Sequence, residues 1–517
     1  MRSCTTQRII LALAGTLLSA AASASVIVAA PIDVVGHLPA AIFTADHFAT
    51  QSYKDWGNEP SVAVDPLDPS RIVVSSFAFG TGINKYASIF YSTTAGQTWT
   101  VPFSVPPPQT SVQIPNDWRF AYDGNGTLHA AILGGCGTDC NVYSGATSNP
   151  ASVAAWTYAA GGSPINSLAS RNHADQPWIA LSPGKVFVAY DDFHTGTGER
   201  VAVSTDNGQT FTVDNPVNNG PQANSTNPGT RIATDAAGSV YAIFGVGTQI
   251  TPGVQNVTYY LNRSRDGGVT WDFNGRSTVG GIAIDTGVST QLCNAPACTQ
   301  AFNNWFAGVN DLRGNVTAIA ADRAGAHVYA LIGKRDASGT DRIYLVAYLA
   351  VGANLVQTSE IAVSPAGLRA ALPSITVQDN GVVDFMYETY DSATNTVQVH
   401  VARSTDFGAS IDGDVVEYSF VPLPLQQVVS GTTSNREFGD YLFITALGNS
   451  FYGSFAGRGD VNVGGIDTTA LIDPFFFAGG DVALAEPPVL PAFLAALTGA
   501  ALLRSRRQHP LSSTSNP

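Results

Sequence analysis

Four copies of one eight-residue phrase recur along the chain and limit the folds open to it. They read STTAGQTW, STDNGQTF, SRDGGVTW and STDFGASI, and they begin at Ser92, Ser204, Ser264 and Ser404. The common pattern is S-x-D-x-G-x-T-W, from which two copies depart: Thr94 replaces the acidic residue in the first, and Ile411 replaces the aromatic residue in the last. A phrase repeated in this way indicates a protein built from several similar units.

Each position of the phrase has a physical role in closing a tight turn. The Asp carboxylate accepts hydrogen bonds from nearby backbone N–H groups, the Gly adopts a positive φ that other residues resist, and the final aromatic ring packs between sheets. None of these roles requires a ligand. We therefore predict a structural role for the phrase residues Ser204, Asp206, Gly208, Thr210, Phe211, Ser264, Asp266, Gly268, Thr270, Trp271, Ser404, Asp406 and Gly408.

A second repeat consists of two apolar strands joined by a short turn, which is the pattern of a β-hairpin. Seven copies occur, with turns at Asp65, Asp123, Ser182, Asp235, Asp322, Asp379 and Gly448. Many short strands and turns suit a chain with 51 Gly and only 12% charged residues.

The octapeptide resembles the Asp-box, or BNR repeat, of sialidase-like β-propellers. The resemblance covers about Ala40 to Gly480 and implies an all-β fold, a single propeller of four-stranded antiparallel blades. The hairpins would be the inner two strands of each blade, and the phrase would join the outer two. Seven hairpins predict seven blades, with the six blades of sialidases as the alternative. We expect a strand around Ala40–Tyr53 to pair into the last blade and close the ring, which removes exposed sheet edges.

The N-terminal residues predict export. Arg2 and Arg8 precede an apolar stretch, and Ala22-Ser23-Ala24 offers a small-residue cleavage site, as in a secretory signal peptide. An uncleaved anchor is the alternative. The predicted segments are a signal peptide (1–24), a lead-in (25–39), the propeller (40–480), a linker (481–488), a hydrophobic sorting or anchor segment with an Arg cluster (489–507) and a tail (508–517).

The C-terminal residues resemble a PEP-CTERM sorting tail. Glu486-Pro487-Pro488 precedes the apolar run Val489–Leu503, and an arginine cluster follows it. The run is shorter than the roughly 20 residues that span a bilayer comfortably, and the arginines would stay cytoplasmic. The resemblance implies processing by an exosortase, and a generic membrane anchor is the alternative. We expect the protein in the periplasm, at the cell surface or outside the cell, with any membrane contact confined to the terminal segments.

Four cysteines beyond the signal segment form two close pairs. In an oxidising compartment local pairing is the simplest arrangement, which predicts the disulfides Cys136–Cys140 and Cys293–Cys298. A zinc site is the alternative, although no His lies at ligand spacing near either pair. We expect no metal or cofactor, with calcium at acidic turns such as Asp65–Asp68 left open.

The loops before each first strand and after each second strand of a propeller share one face, here called the upper face, which is the expected ligand site. Converging arginines and carboxylates there could hold a sugar acid, since guanidinium binds carboxylate in a bidentate way. The alternative is that they only hydrate the channel mouth. Ligand-binding candidates are Glu59, Arg119, Asp191 and Arg335, catalytic candidates are Asp175, Arg231, Glu388, Arg436, Asp440 and Arg458, and further polar residues there are Asp192, His194, Glu437 and Asp460.

The sialidase resemblance implies an arginine triad, a Tyr nucleophile paired with Glu, and an Asp acid/base. The first triad arginine normally lies in a Tyr/Phe-Arg-Ile-Pro phrase, but the corresponding slot reads Asn58-Glu59-Pro60-Ser61, and Glu59 would repel a substrate carboxylate. Arg231, Arg436 and Arg458 could form a triad by another route. Tyr387 and Glu388 are adjacent, but neighbouring strand residues point to opposite faces.

Two functions remain after these arguments. The first is an exported propeller that binds a glycan or an extracellular protein through its upper face without sialidase chemistry. The alternative is a carbohydrate-active enzyme, a sialidase-like glycoside hydrolase or a polysaccharide lyase, that uses upper-face carboxylates and arginines. The fold alone does not separate them. The net charge of −14, without a basic tract, argues against nucleic acid as a partner.

Overall fold

The structure is a computed structural model. It describes residues 28–34, 59–76, 89–100, 108, 117–135, 140–166, 174–192, 198–219, 230–251, 254–290, 317–421, 441–459, 462–463, 466–467 and 472–480. The predicted signal peptide, linker and sorting tail lie outside these ranges. Within them, no helix has both the length and the apolar character needed to cross a membrane.

The strands form seven antiparallel blades arranged as a β-propeller, so the seven-bladed prediction is confirmed and the six-bladed alternative is wrong. The innermost strands of neighbouring blades contact each other around the whole ring and surround a central channel. From the inner to the outer strand, blade 1 has β2 (Ser61–Val64), β3 (Ile72–Ser75) and β4 (Ile89–Ser92); blade 2 has β5 (Trp118–Tyr122), β6 (Leu128–Gly134), β7 (Asn141–Thr147) and β8 (Thr157–Tyr158); blade 3 has β9 (Ala174–Ser182), β10 (Lys185–Asp192), β11 (Gly198–Ser204) and β12 (Val213–Pro216).

The remaining blades repeat the four-stranded pattern. Blade 4 has β13 (Arg231–Thr234), β14 (Val240–Thr251), β15 (Val254–Ser264) and β16 (Ile282–Thr290); blade 5 has β17 (Thr317–Ala321), β18 (His327–Arg335), β19 (Asp341–Val351) and β20 (Asn354–Ala362); blade 6 has β21 (Arg369–Val377), β22 (Val383–Asp391), β23 (Thr396–Ser404) and β24 (Gly413–Phe420); blade 7 has β25 (Phe443–Leu447), β26 (Ser450–Arg458), β29 (Ile472–Gly480) and β1 (Ile32–Asp33). A small hairpin of β27 (Asn462–Val463) and β28 (Ile466–Asp467) lies between β26 and β29. In blade 1, the described residues show an isolated bridge between Tyr91 and Thr100 at the position of the fourth strand.

An N-terminal strand closes the ring, but it is not the predicted one. Strand β1 pairs with β29 through Ile32 opposite Phe476, and Val34 beside it is fully buried. The expected position around Ala40–Tyr53 is therefore wrong, and that segment lies outside the described residues. The sequence before residue 35 provides the closing strand because its apolar residues cover the aromatic surface of β29.

All four octapeptides follow the third strand of a blade, as the hairpin interpretation predicts. In the second copy the Ser204 hydroxyl donates to Asp206 Oδ1 (2.7 Å) and accepts from the Gly208 N–H (2.8 Å), while Asp206 Oδ1 accepts from the Thr210 N–H (2.8 Å). The same bonds recur in the third and fourth copies. The turn is therefore closed by the Asp side chain itself.

The closing aromatics of the first three phrases pack against the preceding blade. Trp99 of blade 1 meets Phe476 of blade 7 with ring centroids 5.4 Å apart. Trp271 of blade 4 lies in a core cluster with residues of blade 3, such as Phe187 and Val203. The phrase thus stabilises both its own turn and the interface between two blades.

Candidate functional site

The inner strands bring two arginines and two aromatic side chains together at the channel. Arg119 lies on β5, Trp178 on β9 and Arg231 on β13, and each is in the first strand of its blade. Tyr441 lies two residues before β25 of blade 7. Arg119, Arg231 and Tyr441 lie at or just before the beginning of a first strand, and the Trp178 ring contacts that of Tyr441, so the group belongs to the upper face.

Arg119 is a fully buried cation held by aromatic rings. Its guanidinium carbon lies 3.2 Å from the centroid of the Tyr441 ring and 4.2 Å from that of Trp178, within the range of cation–π attraction. Nη1 donates to the Trp118 carbonyl (3.3 Å), but Nε and Nη2 have no hydrogen-bond partner in the described part of the chain. Burial lowers the pKa of Arg119 to about 10, despite attraction from Tyr441, Asp117 and Glu59.

Arg231 approaches the same indole from blade 4. Its guanidinium carbon lies 4.3 Å from the Trp178 centroid, and Nη2 donates to Gln176 Oε1 (3.0 Å). Gln176 has a φ of 48°, in the left-handed region that residues other than glycine rarely adopt. Strained backbone of this kind concentrates at functional sites.

Aromatic contacts cross the channel. Trp178 of blade 3 lies 5.5 Å from Phe443 and 6.1 Å from Tyr441, both contributed by the blade 7 side of the ring. The rings therefore narrow the channel at this level. Trp178 and Phe443 remain partly exposed, whereas Tyr441 and both arginines are buried. The accessible part of the site is consequently an aromatic surface with cations packed against it.

A tyrosine and a carboxylate lie together beside Arg119. The Tyr441 hydroxyl donates to Asp117 Oδ1 at 3.4 Å. Asp117 immediately precedes β5, so this bond joins blades 7 and 2. It is the arrangement that a carboxylate-assisted phenol nucleophile would need.

Two buried carboxyls, Asp191 and Glu199, lie opposite each other on β10 and β11. Asp191 Oδ1 accepts from the Thr230 N–H (3.2 Å), and the Thr230 hydroxyl donates to Glu199. Burial raises the pKa of both groups, and the charge of Glu199 raises that of Asp191 further. Two such carboxyls favour a shared proton, so the pair carries about one negative charge next to the backbone of Arg231.

Some of the predicted site residues lie together at the channel and are here called the channel group, while the others lie at separate positions. Glu59, Arg119, Asp191 and Arg231 belong to the channel group. Asp175 opposes Asp191 in the β9–β10 register and so lies at the edge of the site. Asp192 is also buried at the end of β10. His194, Arg436, Glu437, Asp440 and Asp460 lie outside the described residues.

Three candidates lie elsewhere on the ring. Arg335 forms a bidentate ion pair with Asp341 in blade 5 (2.8 and 3.1 Å), and Arg458 donates to the Val421 carbonyl at the end of blade 6 (3.3 Å). Glu388 is buried in β22. Its neighbour Tyr387 bonds to Asp414 (2.7 Å) and packs between blades 5 and 6.

Sequence reasoning missed Trp178, Tyr441, Asp117 and Glu199. The sequence could have indicated Trp178 as a channel residue, because it follows Pro177 in the first strand of a predicted hairpin. For Glu199 the sequence held no such indication, because it lies in a third strand, whereas the hairpin pattern marks only the first two strands of a blade. Tyr441 and Asp117 precede first strands and become neighbours only when the ring closes.

One cysteine is described. Cys140 is disulfide-bonded, while the other four cysteines lie outside the described residues, so the predicted pairings stay predictions. Among the residues described, no group of three His, Cys, Asp or Glu side chains is placed to hold a metal ion.

No protein-family model matches the chain, and no curated protein sequence matches it. Solved structures similar to it include an alpha-L-arabinanase of Penicillium chrysogenum complexed with arabinobiose (11% identity, 87% of this chain and 98% of that one, TM-score 0.43). A PL25 ulvan lyase matches at 12% identity over 82% and 94% (TM-score 0.44), and the NanB sialidase of Streptococcus pneumoniae at 12% over 67% and 67% (TM-score 0.36). At these identities and scores the likeness carries no argument about function.

Proposed function

We propose that the propeller binds a neutral glycan at the mouth of its channel and does not cleave it. The observation that supports this proposal is the partly exposed pair Trp178 and Phe443, backed by two buried guanidiniums and bordered by carboxyls. Sugar rings pack their C–H faces on such aromatic surfaces, while charged groups at the edge bind the hydroxyls.

The charges at the channel mouth favour a neutral ligand over a sugar acid. Arg119 and Arg231 supply two positive charges, while Glu59, Asp117 and the Asp191–Glu199 pair supply about three negative ones. Glu59 also acts electrostatically on Arg119, so this arginine is already partly compensated. A ligand carboxylate would enter an acid-rich site, which is unfavourable at short range.

The test is a binding screen of the purified chain against neutral oligosaccharides and matched oligosaccharides containing sialic or uronic acid, with released reducing ends measured in parallel. We expect binding of a neutral series, no turnover, and at least a tenfold weakening in Trp178→Ala, which is about 1.4 kcal/mol. Phe407→Ala is the matched control, because Phe407 is 54% exposed on an octapeptide turn away from the channel. Preference for the acidic series, or turnover, would reject the proposal.

Glycoside hydrolysis is a second candidate function, favoured by the bond between Tyr441 and Asp117. Tyrosine serves as the nucleophile in sialidases, and Asp117 would take its proton. In that case Tyr441→Phe would abolish turnover while preserving the ring contact with Arg119. Loss of turnover in Asp175→Asn would also support the enzyme.

The export of the protein and the processing of its C-terminal tail remain part of this proposal. They are supported by the signal-like and tail-like sequences alone. Fractionation of cells that produce the full chain, compared with a chain ending at residue 488, tests both. Full chain found only in the cytoplasm would reject export.

A further inference from the structure

A groove opens between blades 4 and 5, separate from the channel. It has a volume of 580 Å³ and is lined by Val257, Thr258, Asp285, Thr286, Gly287, Lys334 and Arg335. Lys334 and Arg335 end the second strand of blade 5, so the groove lies on the upper face. A volume of this size lies in the range of small-molecule sites, roughly 300–1,000 Å³.

At Gly287, which lines the groove, the backbones of blades 4 and 5 approach each other closely. The Tyr259 hydroxyl of blade 4 donates to the Gly333 carbonyl of blade 5 (2.7 Å). A Cβ added at Gly287 would overlap that same carbonyl oxygen and the Tyr259 ring. Glycine at this position therefore lets the two blades meet at the groove without a side chain between them.

The walls hold charges in fixed positions. Lys334 Nζ bonds to Asp285 of blade 4 (2.7 Å) and to Glu360 of blade 5, and it lies 4.9 Å from the centroid of the Tyr344 ring. Arg335 is fixed by its bidentate pair with Asp341. Both lining cations are therefore already paired with carboxylates, which leaves little free positive charge for an anionic ligand, and the polar lining disfavours an apolar one.

The groove lies within reach of the channel site along one glycan chain. Arg231 pairs with Ile243 on β14. Three residues further along β14, Val246 pairs with Thr258 on β15. Two strand spacings across and three residues along the strand give about 14 Å between the backbones at Arg231 and Thr258. That span exceeds a disaccharide and suits a longer oligosaccharide.

We propose that this groove is a distal subsite for the same neutral glycan, so that the protein recognises an extended polysaccharide chain and not only a terminal sugar. This inference rests on the proposed function. Adjacent carboxylate, ammonium and hydroxyl groups on the walls accept from and donate to neighbouring sugar hydroxyls. Occupation of both subsites by one chain raises affinity beyond either alone.

The test measures affinity for neutral gluco-, xylo- and arabino-oligosaccharides of two to six units, in the wild type and in Lys334→Met, Thr258→Val and Trp178→Ala. In the wild type we expect at least a tenfold gain in affinity between the dimer and the longest oligosaccharides of the bound series. The gain should be lost in Lys334→Met and reduced in Thr258→Val, which is nearly isosteric and keeps the ion pairs. Lys185→Met, at the start of β10, is the control, and thermal midpoints check folding.

The outcomes separate the two proposals. If binding depends on Trp178 but affinity does not rise with oligosaccharide length, the distal subsite is overturned and channel binding stays intact. The same holds if affinity rises with length as much in Lys334→Met and Thr258→Val as in the wild type. Binding that is insensitive to Trp178→Ala rejects the channel proposal. Absence of binding at every length overturns both.

Discussion

In the first octapeptide a threonine hydroxyl occupies the position of the aspartate in the other three. Thr94 Oγ1 accepts from the Thr98 N–H at 2.9 Å, and in the second copy Asp206 Oδ1 accepts from the Thr210 N–H at 2.8 Å. The turn needs an acceptor at this place, and the charge is not essential to its geometry. Copies of the phrase therefore differ in how they respond to pH.

The hydrogen bonds of the octapeptide turn lower the pKa of Asp206 to about 2, below its ordinary value of 3.8. A depressed pKa in the folded state contributes stability that is present above the ordinary pKa and is lost as the pH falls toward 2. We expect Asp206→Ala to be less stable than the wild type at pH 7, with a difference that shrinks on acidification from pH 4 to pH 2. Urea unfolding at each pH measures it. Thr94→Ala is the control, and a pH-dependent difference there would contradict this account.

The buried carboxyl pair predicts the opposite trend. Because the pKa values of Asp191 and Glu199 are raised in the folded protein, the unfolded chain ionises first, and the pair reduces stability as the pH rises above about 4. Glu199→Gln should therefore gain stability relative to the wild type between pH 4 and pH 9. Asp379→Asn, at a half-exposed carboxylate, is the comparison, and a flat difference for Glu199→Gln would refute the assignment.

At the scale of the strand, the inner hairpins could be predicted because their signals are local. Each hairpin joins two apolar runs through a turn whose residues are close in sequence, such as Asp123, which accepts from the Asn125 and Thr127 N–H groups. The position of β1 could not be predicted, because its partner is far away in sequence. The contact of Trp178 with Tyr441 could not be predicted either, because these two residues are also far apart in sequence.

The aromatic residues that end the octapeptides also matter at the scale of the strand, because each packs between two blades. Trp271 is buried against blade 3, so Trp271→Ala should lower the free energy of unfolding by about 3–5 kcal/mol. Ile411, which takes the aromatic position in the last copy, is only partly buried, and Ile411→Ala should cost clearly less. Denaturant unfolding of both variants tests the ranking. Equal losses would mean that the aromatic ring has no special role between the blades.

At the scale of the whole molecule, the outer edge of blade 7 is covered by the short strand β1, whose pairing with β29 is extended by bonds at Ala29 and Val34. A chain that begins at residue 35 should lose β1, expose the edge of β29, and show a lower thermal midpoint with more self-association in size-exclusion chromatography. A chain that begins at residue 28 keeps β1 and serves as the control. Identical behaviour of the two chains would show that the ring is held closed without this strand.

The same pairing sets an order in time. Ile32 can pair with Phe476 only after Phe476 has been synthesised. At 5–20 residues per second a ribosome needs roughly 20–90 s to make the chain between them. Six blades can form during that interval, but the seventh lacks both β29 and the β1 that pairs with it, and the edge of β26 stays unprotected. A chain interrupted anywhere before residue 472 lacks β29 and cannot pair β1, so a segment near the end of the chain decides whether blade 7 is completed.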